Sequence, residues 1–339
     1  MAAGMTCLES LRQGLHAILA GDPAAVVLGE DILDPYGGAF KVTQGLSTHF
    51  PGRVFTTPIS EAAIVGMSVG LALRGYRPIA EIMFGDFLAL AADQLINHAG
   101  KYPAMYNGQV TAPLVVRTPM GGGRGYGPTH SQSIERLFFG VPHLKLVAVS
   151  QAHDAGALLR LAVADDDPVV FVEHKLLYPL PLLLDARNGD LWREERQDAA
   201  GYPSVILRNA PPHVASDVTI VAYGGTSRLL VPLLARLAAE EIQVAVCLPG
   251  CISPLDIAPI ATLAATSGRV LVVEESQAAF GWGAEVVAQL HGRIGQQLVA
   301  PVSRLGAAPT VIPAARPLEE QVLPSAAAIE TAILDLLRA

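Results

Sequence analysis

Short apolar runs rich in β-branched residues alternate with longer helical patterns, in two successive series along the chain. The first series predicts strands over residues 26–28, 78–82, 113–116, 144–149 and 168–173. It predicts helices over residues 61–74, 86–101 and 152–164. The second series predicts strands over 218–222, 244–247 and 270–273, with helices over 227–240 and 255–267. Buried strands that alternate with helices are typical of parallel βαβ units, so we predict two sequential α/β domains.

The periodicity fades between the two series. Residues 178–217 contain five prolines and the charged cluster at 193–196, a composition typical of a linker. We therefore predict a first domain over residues 1–185, a linker over 186–216 and a second domain over 217–339. The first 22 residues carry Glu9 and Arg12 among apolar positions, which predicts an amphipathic helix and not a signal peptide.

Composition narrows the class of protein. Apolar residues make up 51% of the 339 positions and charged residues 16%, which predicts that much of the surface is buried against partner chains. The net charge of −8 argues against nucleic acid and anionic membranes as partners. Three cysteines without paired spacing favour a reducing compartment and argue against a zinc site. The apolar run at 62–73 is too short to cross a bilayer, so we expect a cytoplasmic protein.

Glu61 stands at the start of a helical pattern that otherwise contains small apolar residues. Pro58 cannot lie inside a helix and Ser60 can cap one, so Glu61 falls in the first turn, where the helix dipole favours its charge. Nearby, residues 66–70 match the GxSxG pattern of serine hydrolases. Because this match lies within the helical pattern, we interpret it as a small-residue packing surface, and hydrolysis through Ser68 is a remote alternative.

Two further segments carry candidate chemistry. The glycine-rich residues 121–127 are interpreted either as an anion-binding loop or, preferably, as a loop that delivers Tyr126 and His130 into a cleft. His130 lies between a strand and a helical segment, where open α/β sheets bind ligands. Three consecutive aspartates at 165–167 indicate either a divalent metal site or, preferably, a turn that precedes Pro168.

Six segments occur in an order typical of one known family. They are GAFKVT at 38–43, TPISEAAIVG at 57–66, EIMF at 81–84, DQLIN at 93–97, PTHSQ at 128–132 and DPVVF at 167–171. With these segments the chain resembles the beta subunit of the thiamine-diphosphate-dependent first component of 2-oxoacid dehydrogenase complexes, in the transketolase-like superfamily. The resemblance implies a pyrimidine-binding domain followed by a C-terminal transketolase-type domain, and an alpha subunit as partner in an α2β2 assembly.

The resemblance also implies roles for particular residues. Glu61 matches the carboxyl group that hydrogen-bonds the aminopyrimidine ring of thiamine diphosphate, and His130 matches the active-site histidine. Phe87 matches the aromatic residue beside that ring, and Met83 matches a nearby apolar wall. Tyr126 is added to the cofactor-binding set because of its proximity in sequence to His130.

One motif of thiamine-diphosphate enzymes is absent from this sequence. The diphosphate is normally held through magnesium by a GDG sequence followed by an asparagine, and the Gly-Asp pairs at 21–22, 85–86 and 189–190 do not fit that pattern. We therefore expect the alpha subunit to hold the diphosphate and the magnesium ion.

A structural potassium ion is a further implication of the resemblance. Family members bind it with main-chain carbonyls and an acidic turn at the positions that correspond here to Leu114, Ala162, Val163, Asp165 and Asp167.

The predicted activity is decarboxylation of a 2-oxo acid and transfer of the acyl unit to a lipoyl carrier, with a lipoyl acyltransferase as a further partner. The sequence departs from the family pattern at 34–37, 84–86 and 308–313, which leaves the substrate and the acyl acceptor open. One alternative is a two-subunit enzyme that transfers the same unit to an aldehyde or ketone. Another is a non-catalytic scaffold subunit, against which the joint presence of Glu61, Phe87 and His130 argues.

Overall fold

The computed structural model describes residues 4–339, and its helices and strands follow the two predicted series. The first half contains α1 (Cys7–Gly21), β1 (Ala25–Gly29), α2 (Leu46–His49), β2 (Val54–Thr56), α3 (Glu61–Leu73), β3 (Arg77–Glu81), α4 (Tyr102–Met105), β4 (Val115–Met120), β5 (Lys145–Ala148), α5 (Ala155–Ala164) and β6 (Val169–His174). The second half contains β7 (Arg187–Asn188), β8 (Leu191–Gln197), β9 (Pro203–Arg208), β10 (Val218–Ala222), α6 (Ser227–Ala239), β11 (Val244–Pro249), β12 (Cys251–Ser253), α7 (Ala258–Ser267), β13 (Val270–Gln277), α8 (Trp282–Ile294), β14 (Ser303–Ala307), α9 (Arg316–Val322) and α10 (Ala326–Arg338).

The first sheet has the strand order β12-β5-β6-β4-β3-β1-β2, and β1 to β6 run parallel. Strands β1, β4 and β6 are buried along their whole length, as expected for strands with helices on both faces. The carboxyl ends of β6, β4, β3 and β1 lie side by side at one edge of the sheet. The segments that follow these four strands therefore meet there.

The second sheet has the order β14-β13-β10-β11-β9-β8-β7. Strands β14, β13, β10 and β11 are parallel, and β9, β8 and β7 extend the sheet antiparallel. The prediction of two sequential α/β domains is confirmed.

Residues 186–216, predicted as a linker, contain β7, β8 and β9 and are thus built into the second sheet. The prolines do not prevent this, because Pro203 is the first residue of β9 and Pro211 follows that strand. Strand β8 is only partly buried, and its charged residues pair with one another, Arg193 with Glu195 and Arg196 with Glu194, so its sequence lacks an apolar signature.

The helix predicted over residues 86–101 is divided into a 3₁₀ helix, Gly85–Ala91, and a π-helix, Gln94–Ala99. In the 3₁₀ segment, residues three apart lie on one face, so that Leu88 and Ala91 are both buried. No helix in the described range 4–339 combines the length and the apolar character needed to cross a membrane.

Strand β12 belongs to the second half of the chain but pairs antiparallel with β5 in the first sheet. The chain passes from one sheet to the other at Gly250, whose amide donates to the carbonyl of Pro203 (3.0 Å) and whose carbonyl accepts from the amide of Ala148 (2.8 Å). A single apolar cluster also spans both halves and includes Leu146, Val221 and Trp282. The two domains are therefore joined by hydrogen bonds and by a common core.

Candidate active site

Glu61 is the first residue of α3 and is buried, with 6% of its surface exposed. The preceding Ser60 is the N-cap, and its hydroxyl accepts from the amide of Ala63 at 3.4 Å. Because the cap satisfies that amide, the Glu61 side chain is not needed for capping. Within the described part of the chain its carboxylate makes no hydrogen bond, so it is available to a ligand at this sheet edge.

Glu30 is a second buried carboxylate at the same edge, directly after β1. Its Oε1 atom is buried and has no hydrogen-bond partner within residues 4–339. Burial, and then the neighbouring charges of Glu61 and Asp31, raises the pKa of Glu30. The sequence analysis did not select Glu30, although its position immediately after a buried strand was a usable signal.

An aromatic cluster lies where β3 and β4 end. The ring of His130 makes edge-to-face contacts with Phe84 (4.7 Å between centroids) and Phe87 (5.1 Å). Tyr126 lies edge-on to Phe84 at 6.1 Å, and Met83 is half-buried just before that ring. The structure thus brings three of the predicted residues, Phe87, Tyr126 and His130, into one cluster. The 3₁₀ helix that carries Phe87 packs against α3, the helix of Glu61.

The His130 imidazole is half-buried, and its Nδ1 atom lies 2.9 Å from the hydroxyl of Thr129. No other hydrogen bond to this ring occurs among the described residues, so Nε2 remains available to a substrate. The main-chain carbonyl of His130 accepts a hydrogen bond from Nζ of Lys175 at 2.8 Å. The backbone and the ring of His130 are therefore fixed by different neighbours.

Lys175 follows β6 and is almost completely buried, with 1% exposure. Its Nζ atom lies 5.4 Å from the centroid of Phe84. Burial lowers the pKa of Lys175 to about 8, although Asp86 and Glu275 act in the opposite direction. Sequence reasoning missed this residue, because a lysine beside a strand is usually solvated.

The glycine-rich loop binds carboxylates of the second domain through its amides. The amide of Gly122 donates to Glu275 (2.7 Å), and the amides of Gly123 and Gly125 donate to Glu319 (2.8 and 2.9 Å). These donors are thus engaged within the protein, while the same loop carries Tyr126 and His130 into the aromatic cluster.

A buried hydrogen bond joins the two domains behind this loop. Nε2 of His174 lies 2.9 Å from Glu275, and Arg228 lies 3.8 Å from the same carboxylate. Burial alone would raise the pKa of Glu275, but the charges of His174 and Arg228 lower it to about 2. Glu275 is therefore a carboxylate anion at neutral pH.

A second buried network holds the strand ends in register. Arg117 in β4 donates from Nε and Nη2 to Glu173 in β6 (2.8 and 2.7 Å) and from Nη1 to Glu81 at the end of β3. The hydroxyl of Tyr178 donates to Glu173 at 2.6 Å. Because buried charges are costly when unpaired, this network fixes the relative positions of three strands whose ends carry the site.

Comparison with known proteins identifies the family of this chain. Residues 3–181 match the family described as "Transketolase, pyrimidine binding domain", and residues 212–329 match "Transketolase, C-terminal domain". The chain is 35% identical over 324 residues to the pyruvate dehydrogenase E1 component subunit beta of Leifsonia xyli, covering 94% of this chain and 90% of that protein. The chain belongs to the transketolase-like superfamily, in the family of E1 beta subunits.

Two further comparisons support the assignment of this chain to the E1 beta family. It is 32% identical over 341 residues to the acetoin:2,6-dichlorophenolindophenol oxidoreductase subunit beta of Cupriavidus necator, covering 98% of this chain and 97% of the relative. A split-gene transketolase, solved as an inactive beta4 tetramer, superposes with a TM-score of 0.75 over 99% of both chains. At 22% sequence identity, this superposition shows a common fold and nothing more. The resemblance to this family, inferred from the sequence motifs, is confirmed.

The E1 beta family depends on thiamine diphosphate, and the residues at this sheet edge fit its aminopyrimidine ring. Such a ring presents polar nitrogens at its edge and a flat apolar face. The buried Oε1 of Glu30 without a partner and the available carboxylate of Glu61 suit the nitrogens, and Phe87 suits the face.

The acidic turn of this E1 beta chain already holds two cationic side chains. Nζ of Lys145 lies 2.8 and 2.7 Å from the two carboxylate oxygens of Asp165 and 3.3 Å from Asp167. Nη1 of Arg77 donates to the carbonyls of Val163 (2.8 Å) and Asp165 (3.0 Å).

Two positions complete the predicted potassium set. The Leu114 carbonyl accepts from the amide of Val169 at 2.9 Å, and Ala162 is buried in α5. The potassium site stays a prediction, and the geometry favours Lys145 as the cation at this turn.

Ser68 lies in the middle of α3, where its hydroxyl donates to the carbonyl of Ile64 at 2.8 Å. It is fully buried and is not at a strand-to-helix turn, which a nucleophilic serine requires. The GxSxG match is therefore part of a helix in this family member. Gly70, the last residue of the match, has no neighbouring atom among residues 4–339 within 4 Å of the place where a Cβ would lie, so no other described element packs against it there.

Proposed function

We propose that this chain is the beta subunit of a thiamine-diphosphate-dependent 2-oxo acid dehydrogenase component, which decarboxylates a 2-oxo acid and passes the acyl unit to a lipoyl carrier. The observation that carries the proposal is the joint placement of a buried, hydrogen-bond-free Glu61 on α3 and an aromatic cluster with His130 on the loop beside it. The identity to E1 beta subunits over nearly the whole chain supports the same function.

The residues of this chain would hold the pyrimidine half of the cofactor. Glu61 would accept a hydrogen bond from the ring and share a proton with it. The nearby carboxyl group of Glu30 would make a second negative charge in the same pocket less favourable. Phe87 and Met83 would cover the ring and exclude water, and Tyr126 would close the outer side. When bound, thiamine diphosphate supplies the nucleophilic carbon and the electron sink for decarboxylation.

His130 would move a proton at its Nε2 atom. Its Nδ1 atom faces the Thr129 hydroxyl, which fixes the ring plane, and Phe84 and Phe87 fix the ring from its sides. An imidazole held in this way can donate a hydrogen bond to an oxygen that gains charge and can return the proton in the next step. We assign the acyl-transfer step to His130 for this reason.

An alpha subunit would supply the rest of the site, including the diphosphate groups and the magnesium ion. Exposed apolar side chains in and just before the Glu61 helix support a partner chain, because Ile59 is 84% exposed, Met67 is 54% exposed and Leu73 is 37% exposed. Apolar exposure of this extent beside a candidate active site is typical of a permanent interface. This surface supports an α2β2 assembly; the cytoplasmic location and the lipoyl acyltransferase partner are further parts of the proposal.

The acyl acceptor distinguishes the leading proposal from its alternative, in which an aldehyde or ketone takes the acyl unit. One relative carries the name of an acetoin oxidoreductase subunit, so chemistry on small ketones has a precedent in the family. Acyl transfer to a lipoylated domain, measured against release of an acyloin product, separates the two reactions.

Calorimetric titration of thiamine diphosphate with magnesium tests the shared site. We expect heat of binding with the complex of this chain and a co-expressed alpha subunit, and none with this chain alone. The Glu61→Gln variant of the complex should bind the cofactor more weakly. Tight binding by the isolated chain would overturn the division of the site between two subunits.

A further inference from the structure

A carboxylate of the second domain holds the loop that carries His130 in the first domain. Oε1 of Glu319 accepts from the amide of Gly123 at 2.8 Å, and Oε2 accepts from the amide of Gly125 at 2.9 Å. Glu319 lies in α9 and is 1% exposed. We propose that Glu319 is a positioning residue, through which the second domain sets the location of His130. The effect on turnover rests on the proposed function, whereas the hold on the loop does not.

The backbone of the loop is shaped for this contact. Gly123 and Gly125 have φ angles of 85° and 70°, a left-handed conformation that glycine adopts without strain. Alternation of such residues lets amides converge on one anion. Hydrogen bonds from two amides to one buried carboxylate are charge-assisted and therefore strong. Loss of either hydrogen bond would leave a carboxylate oxygen of Glu319 buried without a partner, which costs free energy.

The loop is also tied at its base. The amide of Gly121 donates to the carbonyl of Gln132 at 3.2 Å, so that the two ends of the segment 121–132 are joined. The amide of His130 donates to the carbonyl of Gly127 at 3.4 Å within the loop. Between the base and the Glu319 contact only a few residues remain, and they include Tyr126 and His130. A displacement of residues 123–125 would therefore change the packing of the Tyr126 and His130 rings against Phe84.

Glu319 is a cleaner probe of this coupling than the other carboxylate at the loop. Glu275 accepts from Gly122 but also pairs with His174 and Arg228, so its removal would disturb several contacts. The Glu319 side chain, in contrast, makes hydrogen bonds only to the loop within the described residues. The neighbouring Glu320 is exposed and provides a control with the same change of charge.

Hydrogen exchange of the full-length chain measures the contact directly. In Glu319→Gln, we expect peptides that cover residues 121–132 to exchange about tenfold faster or more, the scale for loss of hydrogen bonds to a charged group. Glu320→Gln should exchange like the wild type. Should Glu319→Gln not fold, Glu319→Asp replaces it, because a carboxylate one methylene shorter cannot reach both amides. Unchanged exchange in the folded variant overturns the proposal.

Kinetics of the complex with the alpha subunit test the consequence for His130. We expect Glu319→Gln to lower kcat by about tenfold while the Kd of thiamine diphosphate stays within about twofold, because Glu61 and Phe87, which would make the main contacts to the aminopyrimidine ring, lie outside the loop. A parallel loss of cofactor affinity would indicate a general structural defect and overturn the positioning role. If the wild-type complex acts on no 2-oxo acid, the proposed function fails, and hydrogen exchange still decides the contact.

Discussion

The imidazole of His130 lies edge to face against the ring of Phe84, with 4.7 Å between their centroids. The two residues come from loops after different strands, β4 and β3, which are neighbours in the sheet. Their contact means that the position of His130 depends on side chains from both loops. The aromatic cluster therefore fixes the position of the His130 ring.

We predict that His130→Ala impairs acyl transfer and leaves cofactor binding intact. Loss of a positioned acid or base typically costs about 10²- to 10⁴-fold in rate, so kcat should fall by that factor. The Kd of thiamine diphosphate should change by less than about threefold, because the predicted ring contacts are made by Glu61 and Phe87. Single-turnover kinetics with a lipoylated domain measure the first quantity. His291→Ala, on the exposed surface of α8, is the control and should behave like the wild type.

Glu61→Gln should abolish activation of the cofactor without loss of folding. The amide keeps the size of the side chain but cannot share a proton with the aminopyrimidine ring. Exchange of the thiazolium C2 proton, followed in the assembled complex, should slow by at least about 10²-fold. Ser68→Ala removes one buried hydroxyl from the same helix and should leave that rate unchanged. Equal rates in Glu61→Gln and the wild type would remove Glu61 from the mechanism.

Lys175 should make stability depend on pH in the alkaline range. Its pKa is about 8 in the folded chain, against 10.5 for an ordinary lysine. Between these values the unfolded state binds more protons, so the free energy of unfolding rises with pH. The wild type should therefore gain about 3 kcal/mol relative to Lys175→Met from pH 7 to 10.5.

Urea denaturation at constant ionic strength measures this difference. Lys101→Met, which changes an exposed lysine, should show no such trend relative to the wild type. A difference between wild type and Lys175→Met that stays flat with pH would falsify the assignment of this titration to Lys175.

The acidic turn offers a choice between Lys145 and a potassium ion. Since Nζ of Lys145 contacts both Asp165 and Asp167, the Tm of the wild type should be equal in potassium and sodium chloride of the same concentration. Lys145→Met should lower Tm by a few degrees, and potassium should restore part of the loss. A wild-type Tm that rises with potassium alone would support an ion bound beside the lysine.

Local signals in the sequence predict the scaffold and the helix start at Glu61. Glu61 was found because Pro58 and Ser60 mark a helix start, and the structure begins α3 at Glu61. The buried strands are predicted because β1 is apolar throughout and β4 and β6 begin with apolar, β-branched runs. Signals of this kind require only neighbours along the chain.

The remaining features depend on contacts between distant residues. Glu319 and Gly123 are separated by 196 positions, and no local pattern links them. Strand β8 carries four consecutive charged residues, and its pairing with β9 is what makes it a strand. The buried Lys175 donates its hydrogen bond to the carbonyl of His130, 45 positions earlier in the chain.

Strand β12 has a consequence for any attempt to divide the molecule. A fragment that ends near residue 185 would lack the residues that pair with β5, since Cys251 lies opposite Val147. Its first sheet would then end in an exposed row of unpaired amides and carbonyls, which is a template for association with other chains. The separate expression of the pyrimidine-binding half should therefore give aggregates unless residues 251–253 are supplied. Because β12 and the common core link the two sheets, we expect the two domains to fold as one unit.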